Sequence, residues 1–157
     1  MPLFNISQAI GNQFIQLLDA RSSGTPASNA ASGWNDRAIN QVKHDDTGLV
    51  GINSNQFILP AGTYYLSANV SFYRSYETRL RLFNHTNSEI ILLGLNSYVG
   101  NIDCGLTAPL EGIFNIGSSQ SLSIQYNVGN ASSSLGVGVN AGVDEVYLVA
   151  NLWKIEN

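Results

Sequence analysis

Charge is scarce in this sequence. Asp, Glu, Lys and Arg make up 11% of its 157 residues, against ~25% in an ordinary soluble domain. The 7 Lys and Arg set against 11 Asp and Glu leave a net charge of -4. Nucleic acid and anionic membranes are recognised by clustered cations, so neither is an expected partner. Cysteine is scarcer still, and a lone Cys104 excludes an internal disulfide framework. Beside Gly105, and with no evident base nearby, it reads as a small filler side chain. An intermolecular disulfide or a reactive thiol is the second reading. No apolar run has the length of a membrane-spanning helix. Met1-Pro2-Leu3-Phe4 opens the chain without basic residues or an apolar h-region, so no signal peptide is expected. The expectation is a soluble protein made in a cytoplasm.

What replaces the charge is uncharged polarity. The sequence holds 18 Ser and 18 Asn, together twice its 18 charged residues. Such side chains solvate strands and turns and disfavour long helices. With 44% apolar residues, the chain is long enough for one domain with a real core. Short strand signals recur from Trp34 onward. Thr63–Tyr73 alternates most clearly, with Tyr64, Leu66, Ala68, Val70 and Phe72 on one side and Tyr65, Ser67, Asn69, Ser71 and Tyr73 on the other. Pro60-Ala61-Gly62 before it is a turn signal. Residues 34–43, 49–52, 56–59, 78–83, 89–95, 110–116 and 121–126 also read as strands, while 129–142 is a thin strand or a loop. Residues 3–18 fit either helical spacing or, over 13–19, a strand, and 21–33 reads as a loop with no reason to pack. The sum is an all-β chain: a jelly-roll-like β-sandwich of about ten strands. Its expected division is 1–33 (N-terminal arm, first strand and flexible loop) and 34–157 (the sandwich domain).

The last fifteen residues break the alternation. Val146, Leu148, Ala150 and Leu152 fall on one side of an extended strand, with Tyr147, Val149 and Trp153 on the other. A strand that is wet on one face alternates apolar with polar residues. This one calls for cover on both faces, and the second cover is expected from sister copies in an obligate homo-oligomer. Tyr147, Val149 and Trp153 are therefore candidate interface residues. Arg79 and Arg81 join them, because planar guanidinium groups suit interfaces; the competing reading pairs these arginines with Glu77 or Asp36 at the surface.

Catalytic patterns are not found. His44-Asp45-Asp46 lacks the spacing of a calcium loop and reads as a solvated turn. His85 has no second histidine at ligand distance. Adjacent residues Asp144 and Glu145 point to opposite faces of a strand, no Gly-x-Ser-x-Gly occurs, and no helix follows Gly136-Val137-Gly138 to bind phosphate. Neither enzymatic activity nor a metal or other cofactor is expected. Tyr65, Tyr73, Tyr76 and Tyr98 suit either packing within the sandwich or stacking on sugars.

Several segments carry a resemblance: Trp34-Asn35-Asp36-Arg37-Ala38-Ile39-Asn40, Phe57-Ile58-Leu59-Pro60-Ala61-Gly62-Thr63-Tyr64, Thr78 to Thr86, Gly136-Val137-Gly138, Glu145-Val146-Tyr147 and Leu152-Trp153-Lys154. Together they resemble a family of small phage β-domains found among tail-fibre and other virion proteins. In that family the first motif has threonine and leucine where Asp36 and Ile39 stand here. More broadly, the pattern is similar to the trimeric jelly rolls of tumour-necrosis-factor and complement type, whose C-terminal strand runs near the three-fold axis. The resemblance implies a non-enzymatic virion structural protein. The leading form is a homotrimeric capsid decoration (cement) protein on the virion surface, partnered by the major capsid protein and anchored through Leu3, Phe4 and Ile6. Only about thirty residues precede the recognisable domain, which favours decoration over a fibre tip; the alternative is a tail-fibre tip or receptor-binding module that recognises host glycan. Deletion of residues 1–20 is expected to leave the fold intact.

Overall fold

Alternating side chains with turn-forming residues between them produce strands almost throughout this computed structural model, which describes residues 13–100, 103–131 and 133–155. In chain order the strands are β1 (Gln13–Arg21), β2 (Asn35–Asp36), β3 (Gln41–Asp45), β4 (Gly51–Asn53), β5 (Gln56–Leu59), β6 (Gly62–Tyr73), β7 (Glu77–Asn84), β8 (Glu89–Leu93), β9 (Ser97–Tyr98), β10 (Gly105–Ile116), β11 (Gln120–Val128) and β12 (Glu145–Ile155). One sheet runs β10-β6-β12-β1-β3. The other runs β4-β5-β11-β7-β8, with β2 also on β11 and β9 on β7. All pairings are antiparallel. The result is a jelly-roll sandwich, as the composition and strand spacing imply. Leu3, Phe4 and Ile6 lie outside the described residues.

The core is the meeting of two alternating faces. Tyr64, Leu66, Ala68, Val70 and Phe72 point inward from β6, with Ile15 and Leu17 of β1 and Leu148, Ala150 and Leu152 of β12. They meet Leu80, Leu82, Leu122, Ile124 and Tyr126 from the second sheet. A fully buried leucine is worth about 1.5–3 kcal/mol over its exposed state. This double layer, not strand propensity, holds the sheets together. β10 begins five residues before the expected Leu110 and runs through Pro109. Proline is tolerated there because β10 is an edge strand, where an N–H can be dispensed with.

Four expectations change. First, the run 34–43 is not one strand. The chain leaves the second sheet after Asp36, carries Arg37 and Ile39 through the interior and joins the first sheet at Gln41. Second, the loop after β1 packs. Ala27 and Ala30 are buried, because their N–H groups donate to Gly136 and Ser133 carbonyls. Third, the alternation in β12 shifts by one. Asp19 pairs with Leu148 but Ala20 with Val146, so Tyr147 forms a bulge. One extra residue reverses the facing of those before it. Tyr147 turns inward, 5% exposed, and Val146 turns outward. Fourth, β1 is held between β12 and β3, so a deletion reaching residue 20 removes an internal strand and would not spare the fold.

Arg37 is the largest fully buried side chain. Its Nη1 lies 3.5 Å from Asp19, itself wholly buried. Its Nη2 donates to the Leu135 and Ser71 carbonyls at 2.7 and 3.3 Å, and the guanidinium lies over the Phe72 ring at 5.7 Å. Burial lowers its pKa to about 10, with Asp19 opposing that shift. Asp19 also accepts from Arg21 Nε and Asn40 Nδ2. We expect Asp19→Ala to cost about 3–5 kcal/mol, because it strands a buried cation. Urea denaturation would measure this, and joint replacement of Asp19 and Arg37 by apolar residues should cost less than the single change.

Candidate assembly face

The outward face of the five-stranded sheet is banded. In its first band, Ile113 of β10, Tyr65 of β6, Trp153 of β12 and Phe14 of β1 stand in register. The Tyr65 and Trp153 rings are 5.6 Å apart, Trp153 and Phe14 5.3 Å, and Phe14 and His44 of β3 5.7 Å. The second band is polar: Glu111, Ser67, Asn151 and Gln16. Ser67 Oγ donates to Glu111, and Gln16 Nε2 donates to Asn151 Oδ1 at 2.9 Å. The third band is Pro109, Asn69, Val149 and Leu18. Rings aligned across a sheet face bury part of one another but leave their outer surfaces to a further layer.

A second apolar surface lies along one side of the sandwich. Ile90 and Leu93 on β8 and Leu95 just after it are exposed by 48, 55 and 72%. β8 is a sheet edge.

Of the five candidate interface residues, Val149 and Trp153 occupy the banded face. Tyr147 does not. Its ring is in the protomer's own core, and its hydroxyl donates to the Thr25 carbonyl at 2.8 Å. A methyl group on Gly136 would lie 2.2 Å from that ring, so this position requires glycine. Arg79 and Arg81 project from β7, in the opposite sheet, so one contact through the banded face cannot include them. Arg81 lies 4.1 Å over Trp34 and 4.9 Å over Phe83, with Nε donating to Gln125. Arg79 Nε donates to the Gly94 carbonyl. Among the described residues neither pairs with Glu77 or Asp36 within 4 Å. Phe14 was concealed by the ambiguity of residues 3–18; its signal was Phe14, Gln16 and Leu18 alternating against Ile15, Leu17 and Asp19.

The polar candidates are absorbed by turns. Asp46 accepts from His44 Nε2 at 2.7 Å and from the Phe14 N–H. Asp45 accepts from Thr47 and the Val50 N–H. His85 lies against Ser123 and Phe83. No group of three His, Cys, Asp or Glu gathers at metal-binding distance among the described residues. Glu145, dismissed above as half of a carboxylate pair, has a structural role that the sequence did not show. Its carboxylate accepts N–H bonds from Val139, Gly24 and Asn140 at 3.0, 2.8 and 2.8 Å. It thus ties two loops to the start of β12.

No protein-family model and no curated protein matches the sequence, but solved structures do match the fold. The chain is similar to the globular domain of zebrafish complement 1qA protein, with 16% identity, a TM-score of 0.60, and coverage of 92% of this chain and 98% of that one. It is similar to murine APRIL at pH 8.0, with 12% identity, a TM-score of 0.57, and coverage of 90% and 98%. At these identities the likeness establishes the jelly roll and nothing finer.

The three N–H bonds to Glu145 hold its pKa below the usual value. Its stabilising effect is therefore full above the unfolded pKa, ~4.3, and is lost as pH falls through the lower folded value. Hydrogen exchange at the Val139, Gly24 and Asn140 amides should accelerate in that acid window. In Glu145→Gln, those amides should exchange fast at neutral pH as well.

Proposed function

We propose that this chain is a non-enzymatic structural domain that assembles as a homotrimer through the banded face, and that it decorates a phage capsid by binding the major capsid protein. The row Ile113–Tyr65–Trp153–Phe14 carries the assembly reading, because such rings gain by excluding water on their open side. The protomer has two unlike apolar surfaces, this row and the β8 edge. Unlike surfaces suit a head-to-tail contact that closes into a ring, and closure at three follows the likeness to trimeric jelly rolls. The virion placement rests on the motif resemblance that begins at Trp34. The non-enzymatic reading is supported by the use of the Asp45, Asp46 and Glu145 carboxylates in bonding turns and loops. A second reading, a tail-fibre or receptor-binding tip that recognises host glycan, is favoured by the exposed Tyr98 ring, which lines one cleft with Trp34 on the other sheet.

Light scattering of purified protein should give three times the 16.9 kDa chain mass. Val149→Asp should give a folded single chain, because it charges the outward face alone. Leu148→Asp should abolish folding, because it buries an unpaired charge in the core. A wild-type monomer at working concentration, or an intact trimer in Val149→Asp, would refute the assembly reading. Deletion of residues 1–12 spares β1 and should leave the trimer while lowering its occupancy on particles; unchanged occupancy would refute anchoring by Leu3, Phe4 and Ile6.

A further inference from the structure

On the sheet opposite the banded face, an open cleft of about 590 Å³ lies between Trp34, just before β2, and Tyr98 on β9. Its floor is the start of β7 and the end of β11. Register orders the residues: Asn127 is opposite Arg79, and Tyr98 is opposite Glu77. From β2 across β11 and β7 to β9 there are three strand spacings, about 14 Å at ~4.8 Å each. The two rings therefore stand apart, with Asn127 and Arg79 on the strands between them, and with Glu77 and Asn96 near Tyr98.

We infer that this cleft is a carbohydrate-binding site for a neutral di- or trisaccharide. The inference deepens the glycan-recognition reading and does not depend on trimer formation. Its first support is the aromatic pair. Tyr98 is 66% exposed, and Trp34 is steadied by Arg81 at 4.1 Å. The electron-rich face of an aromatic ring attracts the weakly positive C–H face of a sugar.

The second support is unused hydrogen-bonding capacity. No hydrogen bond or ion pair within the described residues engages the Glu77 carboxylate or the Asn96 and Asn127 amides, and Arg79 is engaged through Nε alone. Glu77 and Arg79 project from the same side of β7, yet they do not pair within 4 Å. Together these groups offer both acceptors and donors, as the hydroxyls of a sugar require. The third support is Gly129. A methyl group there would lie 1.9 Å from the Glu77 carboxylate, so glycine leaves room for that carboxylate just past the end of β11 in the cleft.

The net charge of -4 argues against a polyanion at this site. The other tyrosines are less well placed. Tyr65 is stacked on Trp153 and Tyr73 lies under Arg74, and neither borders this cleft.

The test applies saturation-transfer NMR to the intact protein with a panel of glucose, galactose and N-acetylglucosamine oligomers of two to four units. At least one should bind. Tyr98→Ala and Gly129→Ala, the latter displacing Glu77 while keeping both rings, should each weaken binding about tenfold or more, roughly 1.4 kcal/mol. Lys43→Ala, on the far sheet, should leave it unchanged. A panel with no binder would overturn the site, as would full affinity in both variants. A short peptide that binds there while no sugar does would also overturn it. Light scattering on the same samples reports assembly separately, so failure of sugar binding is distinguishable from failure of the trimer.

Discussion

One buried ion pair positions much of this molecule. Arg37 and Asp19 sit in the interior without exposure, where an isolated charge is costly enough to force a partner on it. The carbonyls of Ser71 and Leu135 accept further guanidinium N–H bonds. Four segments distant in sequence are thereby constrained around one side chain: β1, the crossing segment, β6 and the loop before β12. The loop before β12 in turn accepts the Ala27 and Ala30 N–H groups, which holds these small residues in the interior.

The two outward faces of the sandwich have different chemistry. The five-stranded sheet presents bands of rings and aliphatic groups around a polar strip whose members bond to one another. Such a strip loses little when water leaves, because its partners are already in place. The other sheet presents an arginine held on Trp34, and a cleft in which the Glu77 carboxylate and the Asn96 and Asn127 amides have no hydrogen-bond partner among the described residues. A face with its bonds closed suits burial against another protein surface, whereas a face with open bonds suits a hydrated ligand. With so few charges in the chain, this contrast is made almost wholly by amides, hydroxyls and rings.

Much of the fold was legible because core strands declare themselves by period two. Tyr64 to Phe72 lie buried in the order the alternation implies, and the turn at Pro60-Ala61-Gly62 delivers the chain into β6. Where reading failed, the cause was a local departure from that period. The bulge at Tyr147 has no sequence marker, since Glu145-Val146-Tyr147-Leu148 is equally compatible with an unbroken strand. Arg37 lay within a run read as one strand, and nothing near it in sequence reveals Asp19 as its partner. Val149 and Trp153 were found because they lie beyond the bulge, where the phase assumed from the C-terminal end still holds. The Glu145 loop clamp was invisible because its three donors are backbone groups, which carry no side-chain signature.

Pro109 has an effect on how copies of this domain can meet. It interrupts the row of hydrogen-bond donors along β10, halfway along a strand that borders its sheet. An incoming extended segment would find that row incomplete, so growth by backbone pairing on this border is discouraged. Any contact between copies there would have to be made by side chains rather than by backbone pairing. A proline in the strand thus works against open, fibre-like growth along this border.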